Sequence, residues 1–139
     1  MQHIFQKHEQ GCGIATIAMV MGLTYRQVLR HVDPQYRWWK VWRQVRAFPL
    51  GPVLQSLGAK YNEHWGHCHW IQQITSPSIF LIEYTAEDKA SLPIPFDHHA
   101  VAWDPGTRTI LDPAHQVAFS LPYYQDRLCG YYEILGRKP

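Results

Sequence analysis

Gly11-Cys12-Gly13-Ile14-Ala15-Thr16-Ile17-Ala18-Met19-Val20-Met21-Gly22 is the stretch on which the fold turns. Ile14, Ala15, Ile17, Ala18, Met19, Val20 and Met21 fall on every face of a helix, and Gly22 supplies a C-terminal stop. A helix apolar all round belongs in the middle of its domain. Cys12 stands at its start, between two glycines. A thiol there meets the positive end of the helix dipole, which favours thiolate, and the glycines let a backbone approach closely. The bland reading is an ordinary buried cysteine in a Gly-rich turn, and Cys12 taken alone favours it.

Outward from this helix, Thr24-Tyr25-Arg26-Gln27 has the form of a capping box and predicts a second helix to about Val32. Asp33-Pro34 reads as an N-cap followed by proline at the first helical position, which predicts a third helix to about Ala47. Gly51-Pro52 opens a short fourth helix, Val53 to Leu57, closed by Gly58. The second half changes character. Ile79 to Tyr84 and Ala100 to Trp103 are short β-prone runs. Asp104-Pro105-Gly106-Thr107 is a strong turn before Arg108 to Leu111, so a hairpin is expected. Gly130 to Leu135 reads as a last strand, and Glu87 to Asp97 as a proline-bearing loop. Helices first and antiparallel strands after predict an α+β fold, a buried helix packed on a small antiparallel sheet.

Composition narrows the function classes. The chain has 139 residues, 46% hydrophobic and 17% charged, which fits one domain with a real core, spanning 1–139. Disorder is excluded by that balance. A formal net charge of +2 is too small for a strong nucleic-acid footprint. Three cysteines, Cys12, Cys68 and Cys129, are not a disulfide framework. The run Ile14 to Leu23 is too short to span a bilayer, so no transmembrane segment is expected. Residues 1–10 lack the apolar core of a signal peptide, and a cytoplasmic location is the expectation.

A nucleophilic cysteine needs a base and an oxyanion donor. Gln6, six residues before Cys12, could supply a donor amide. His98-His99-Ala100-Val101-Ala102 places a histidine at the mouth of a predicted strand, and Asp112-Pro113 follows the paired strand. Across a hairpin, that carboxylate can face the imidazole and orient it. The alternatives are a surface histidine at a strand end and a turn aspartate before proline. His98 is a rival base. Neighbours on a strand point to opposite faces, so only one of the two can reach Cys12, and the Ala-Val-Ala that follows favours His99.

Gln6, Cys12-Gly13 on a helix, His99-Ala100-Val101-Ala102 and Asp112-Pro113 together resemble the papain-like cysteine peptidase superfamily. The run Cys12 to Met19, with Leu57-Gly58 before a linker and Pro77 before a strand, is most similar to the double-glycine leader peptidases that process bacteriocin precursors. The resemblance covers most of residues 6–113. It implies a papain-like fold and a thiol hydrolase acting on a peptide or protein substrate. Cys12 would be the nucleophile, His99 the base, and Asp112 the residue that orients the imidazole. Gln6 and the Cys12 backbone amide would form the oxyanion hole. No metal or cofactor is implied. Related thiol acyl transfer, such as deamidation, uses the same parts. The rival from another class is a non-catalytic papain-like module that binds a peptide or a partner.

Two further clusters have bland readings. His64, His67, Cys68 and His69 lie among Trp65 and Trp70, but their spacing matches no standard zinc site, so a polar aromatic loop is expected. Arg37, Lys40, Arg43 and Arg46 recur every three residues among Trp38, Trp39 and Trp42. Nucleic-acid or anionic-membrane binding is one reading. A helix with tryptophans packed inward and basic groups solvated is favoured by the small net charge. Tyr123-Tyr124 and Tyr131-Tyr132 are expected to pack against the sheet.

Overall fold

A computed structural model describes residues 1–7, 11–35, 50–66, 71–84, 86–91, 98–115 and 121–138. Helix α1 (Cys12–Met21) is the buried helix, and every residue from Gly13 to Met21 is inside. Its one polar side chain beyond Cys12 is satisfied locally, since Thr16 Oγ1 donates to the Gly13 carbonyl at 3.1 Å. Gly22 ends it in the left-handed region at φ 67°. The Leu23 N–H then reaches back to the Ala18 carbonyl at 2.9 Å, closing the last turn.

Helix α2 (Tyr25–Gln35) begins on the expected capping box. The Thr24 N–H donates to Gln27 Oε1 at 2.8 Å, and the Gln27 N–H donates to Thr24 Oγ1 at 3.1 Å. Tyr25, Val28 and Val32 form its buried ridge against α1. The expected break at Asp33-Pro34 is absent, because α2 runs through both residues. A proline there removes one i→i−4 bond, while the ridge that anchors the helix lies before it. The rest of the expected third helix, with Trp38, Trp39, Trp42 and its four basic residues, lies outside the described residues. Helix α3 (Leu50–Ser56) starts two residues before Pro52 and ends before the left-handed Gly58.

The sheet has five strands: β1 (Ala59–Trp65), β2 (Ser78–Glu83), β3 (His98–Asp104), β4 (Thr109–Leu111) and β5 (Leu128–Arg137). Its order is β1-β5-β2-β3-β4, with every pairing antiparallel. The predicted hairpin is β3–β4, in register Ala102 to Leu111 and Asp104 to Thr109. Strand β5 exceeds its expected bounds because it is paired on both sides, with β1 and with β2. Strand β1 was not expected. Ala59, Tyr61 and Trp65 do alternate with Lys60, Asn62 and His64, but Glu63 interrupts the apolar set and five of the seven residues are exposed, so the signal is weak. Two short helices were also unforeseen, α4 (Ala86–Ser91) and α5 (Leu121–Gln125). The α4 segment replaces the first part of the expected loop, since Ala86 to Ser91 lies upstream of both prolines in that stretch.

Alternation on the strands divides the interior in two. Ile79 and Leu81 of β2 and Ala100 and Ala102 of β3 join the cluster around α1. Phe80 and Ile82, with Val101 and Trp103, face the other way, against Ile71, Ile110, Tyr124 and Leu128. Trp103 is fully buried, and its indole N–H donates to the Ile74 carbonyl at 2.9 Å. A bulge skips Cys129 between the pairs Leu81–Gly130 and Ile82–Leu128. That extra residue turns Leu128 to the second cluster while Tyr132 and Ile134 stay with the first. Among the described residues, no single helix is long and apolar enough to cross a membrane.

Candidate active site

Helix α1 packs chiefly on β3. Ala15, Ala18, Ala100 and Ala102 all belong to the buried cluster there. Small side chains on both elements let a helix come close to a strand. The result brings the start of α1 to the start of β3. Gly11 is the N-cap of α1 and offers no side-chain cap, so the first-turn N–H groups are left for another acceptor. The Cys12 sulfur takes that role and accepts from the Gly13 N–H. It also accepts from the Ala100 N–H. Strand β4 pairs with β3 only as far as Leu111, opposite Ala102, so the edge of β3 is open at Ala100.

The third partner of Cys12 is the His99 side chain, and the two are hydrogen-bonded. His99 Nε2 lies 2.7 Å from Asp112 Oδ1. With Nε2 engaged by the carboxylate, Nδ1 is the ring nitrogen left for the thiol. Asp112 is 2% exposed and accepts from the Ala114 N–H at 2.9 Å and the Tyr124 hydroxyl at 3.2 Å as well. Thiol, imidazole and carboxylate therefore form one continuous chain. Cys12 remains half-buried and its sulfur is free of any disulfide.

The electrostatics follow from these contacts. Burial pushes the Cys12 thiol up. The His99 hydrogen bond and positive charge, with the N–H groups of Ala100 and Gly13, outweigh burial and bring it below its ordinary value. Burial would lower His99. The hydrogen bonds to Asp112 and Cys12, and the negative charge of both, raise it instead to about 10. Asp112 is lowered in the same way, with burial opposed by His99, the Ala114 N–H and the charge of His115. The pair titrates as a unit, and its favoured state is thiolate beside imidazolium.

The N-terminal segment closes the same corner. His3 Nε2 donates to the Asp112 carbonyl at 2.7 Å, and the Gln6 N–H donates to the Pro113 carbonyl at 3.0 Å. Gln6 thus sits beside the Asp112 turn, with its side-chain oxygen buried. His98 is exposed at the first position of β3, across from Glu83, and it is His99 that meets Cys12. Tyr84 flanks the His99 ring, with centroids 5.8 Å apart.

Among the other sequence candidates, His64 lies on β1, 3.3 Å from Glu133 Oε2 and stacked on Tyr131. His67, Cys68 and His69 lie outside the described residues. Among the described residues, no group of three His, Cys, Asp or Glu side chains is placed to hold a metal ion. Sequence reasoning missed Tyr124 as a site residue. Its one signal was Leu121-Pro122, a proline at the start of what proves to be a helix. No family model matches the chain, and no curated protein matches it significantly.

Proposed function

We propose that this chain is a papain-like thiol hydrolase that cleaves a peptide or related amide bond through Cys12. The observation that carries the reading is the unbroken chain from the Cys12 sulfur through His99 to Asp112, with Nε2 2.7 Å from Oδ1. The Cys12 thiolate attacks the carbonyl carbon of the substrate, and the carbonyl oxygen gains the negative charge. The Gln6 side-chain amide and the Cys12 backbone N–H stabilise that oxygen. The intermediate collapses as imidazolium His99 gives its proton to the leaving amine, producing a thioester and neutral imidazole. A water then loses a proton to His99 and attacks the thioester. Release of the carboxylic acid product restores thiolate and imidazolium. Asp112 keeps the ring oriented and stabilises its charged form throughout, without taking the proton.

The nucleophile stands at the start of a buried helix that packs on an antiparallel sheet carrying the histidine, which supports the papain-like reading. The test is alkylation of Cys12, located by mass spectrometry, across pH. The expected result is fast labelling well below the ordinary thiol pKa of about 8.5, slowed at least about tenfold in His99→Ala. A Cys12 that labels like a free thiol in both proteins overturns the hydrolase reading and leaves a peptide-binding module.

A further inference from the structure

The Asp112 carboxylate is buried, and its two oxygens are not equivalent. Oδ1 accepts from His99 Nε2 at 2.7 Å and from the Ala114 N–H at 2.9 Å. Oδ2 accepts from the Tyr124 hydroxyl at 3.2 Å. Rotation about the Cβ–Cγ bond of an aspartate is soft and roughly twofold, so torsional preference does not fix the plane. Donors on both oxygens do. Tyr124 is 0% exposed and packs among Val101, Trp103 and Leu128, where a phenylalanine would fill the same apolar space. A buried hydroxyl is destabilising unless it is paired, and here it is paired with the carboxylate.

The helix that carries Tyr124 is itself clamped to the sheet. The Arg127 guanidinium lies 4.3 Å from the centre of the Tyr123 ring and donates to the Tyr123 carbonyl at 3.1 Å. It also donates to the Glu83 carbonyl at 3.1 Å, at the end of β2. The Arg127 N–H donates to the Tyr124 carbonyl at 3.1 Å. A short helix is thus tied to the end of the sheet at which His99 stands.

We propose that Tyr124 is a positioning residue of this site, holding the Asp112 carboxylate so that Oδ1 faces His99. The inference rests on the reading of Cys12, His99 and Asp112 as a working triad. The titratable groups around the carboxylate are His99 and, through it, Cys12, together with His115, Tyr124 itself, and His3 on the backbone carbonyl. Removing the phenol donor weakens support for the ionised carboxylate, so Asp112 protonates at higher pH. The acid limb of any activity that depends on Asp112 then moves up.

The experiment compares iodoacetamide labelling of Cys12 in wild type, Tyr124→Phe, Asp112→Asn and the double variant, with circular dichroism on the same samples. Tyr124→Phe is expected to slow labelling about three- to tenfold at mildly acid pH, the scale of one ordinary hydrogen bond, because the two donors on Oδ1 remain, and to move the acid limb upward. In the Asp112→Asn background the same change is expected to cost less than about twofold, because the charge it holds in place is gone. A fluorinated tyrosine at position 124 keeps the shape and strengthens the donor, so it moves the limb the other way. Tyr123→Phe serves as the control and leaves labelling unchanged. Wild-type rates in Tyr124→Phe, or an equal slowing with and without the Asp112 carboxylate, overturn the inference. A wild-type Cys12 no faster than a free thiol removes the triad reading, and this one with it. Fast wild-type labelling beside an unaffected Tyr124→Phe removes this one alone.

Discussion

Strands β3 and β1 are each seven residues long, and they are held in opposite ways. The last five residues of β3 are buried, with strands on both sides, α1 over one face and the Trp103 cluster over the other. Ala59 is the buried residue of β1, which pairs only with β5 and forms an edge of the sheet. Burial of apolar surface fixes the position of β3. The ladder, a few cross-strand side chains and the contact of Tyr61 with α3, whose Gly51 carbonyl accepts from the Tyr61 hydroxyl at 3.3 Å, fix β1. The difference decides where chemistry can be built. A thiol and an imidazole keep a working geometry only when packing leaves their elements no alternative placement. The start of β3 meets that condition. The outer edge of β1 does not.

The largest effect should come from breaking the site at β3. His99→Ala is expected to lower turnover of a cleaved peptide by at least about a hundredfold and to cost stability as well, because the removed ring is both the proton carrier and the charged partner of the buried Asp112 carboxylate. The pH dependence has a definite sign. His99 is raised from 6.5 to about 10, so its contribution to stability is complete below 6.5 and is lost as pH rises through about 10. Cys12 is lowered, so its contribution is complete above 9.0 and is lost as pH falls through its lowered value. The thiolate–imidazolium pair occupies the window between that lowered value and about 10. Above about 10 turnover should fall while alkylation persists, because the thiolate remains and the proton for the leaving amine is gone. Parallel loss of both at high pH would mean that the site is unfolding rather than titrating.

The same contrast explains what the sequence made legible. The apolar run from Ile14 to Met21, the Thr24–Gln27 box and the β3–β4 turn carry their signals locally, in periodicity, capping and turn residues. Cys12, His99 and Asp112 were readable because each sits at the end of such an element. Strand β1 was overlooked, because Glu63 interrupts the alternation of Ala59, Tyr61 and Trp65 with polar residues. Lys60, Asn62, Glu63 and His64 form a strand only because β5 offers a partner, and that pairing is a long-range fact. The role of Tyr124 was hidden for the same reason. Beside Tyr123 it looks like one of two packing tyrosines, and only the fold shows that its hydroxyl meets Asp112 while its neighbour faces solvent. Pro34 misled, because a proline that can start a helix can also lie inside one, and α2 continues through it.

A smaller, structural effect is expected where β1 meets β5. Gly130 pairs with Trp65 on one side and Leu81 on the other. A Cβ at this glycine would lie 2.7 Å from the His64 carbonyl oxygen and 2.8 Å from Trp65 Cε3. Backbone cannot yield cheaply on the carbonyl side, so Gly130→Ala should cost about 1–3 kcal/mol. Denaturant titration reads the cost. Amide exchange should show the loss concentrated in β1, with Cys12 labelling close to normal. Unchanged stability would mean that β1 is free to shift away from β5, and that the ladder contributes less than argued.

The smallest effect tests how much the exposed end of β1 adds to the packing at Ala59 and Tyr61. Trp65 is 61% exposed, yet its ring covers Gly130 and its indole N–H donates to Glu63 Oε1 at 2.9 Å. Tyr132 donates to the same oxygen at 3.2 Å, and its phenol is raised to about 12, by burial first and by the Glu63 charge second. Glu63 therefore keeps a donor when Trp65 is removed. Trp65→Ala should cost only about 0.5–1 kcal/mol, the scale of one cross-strand aromatic contact. The Tyr132 titration should stay near its raised value, because the buried ring and the facing carboxylate both remain. A larger loss, together with a fall in the Tyr132 pKa, would show that the indole holds Glu63 against Tyr132. The edge strand would then be fixed by a side-chain cluster, as β3 is, and the contrast between the two strands would narrow to one of exposure.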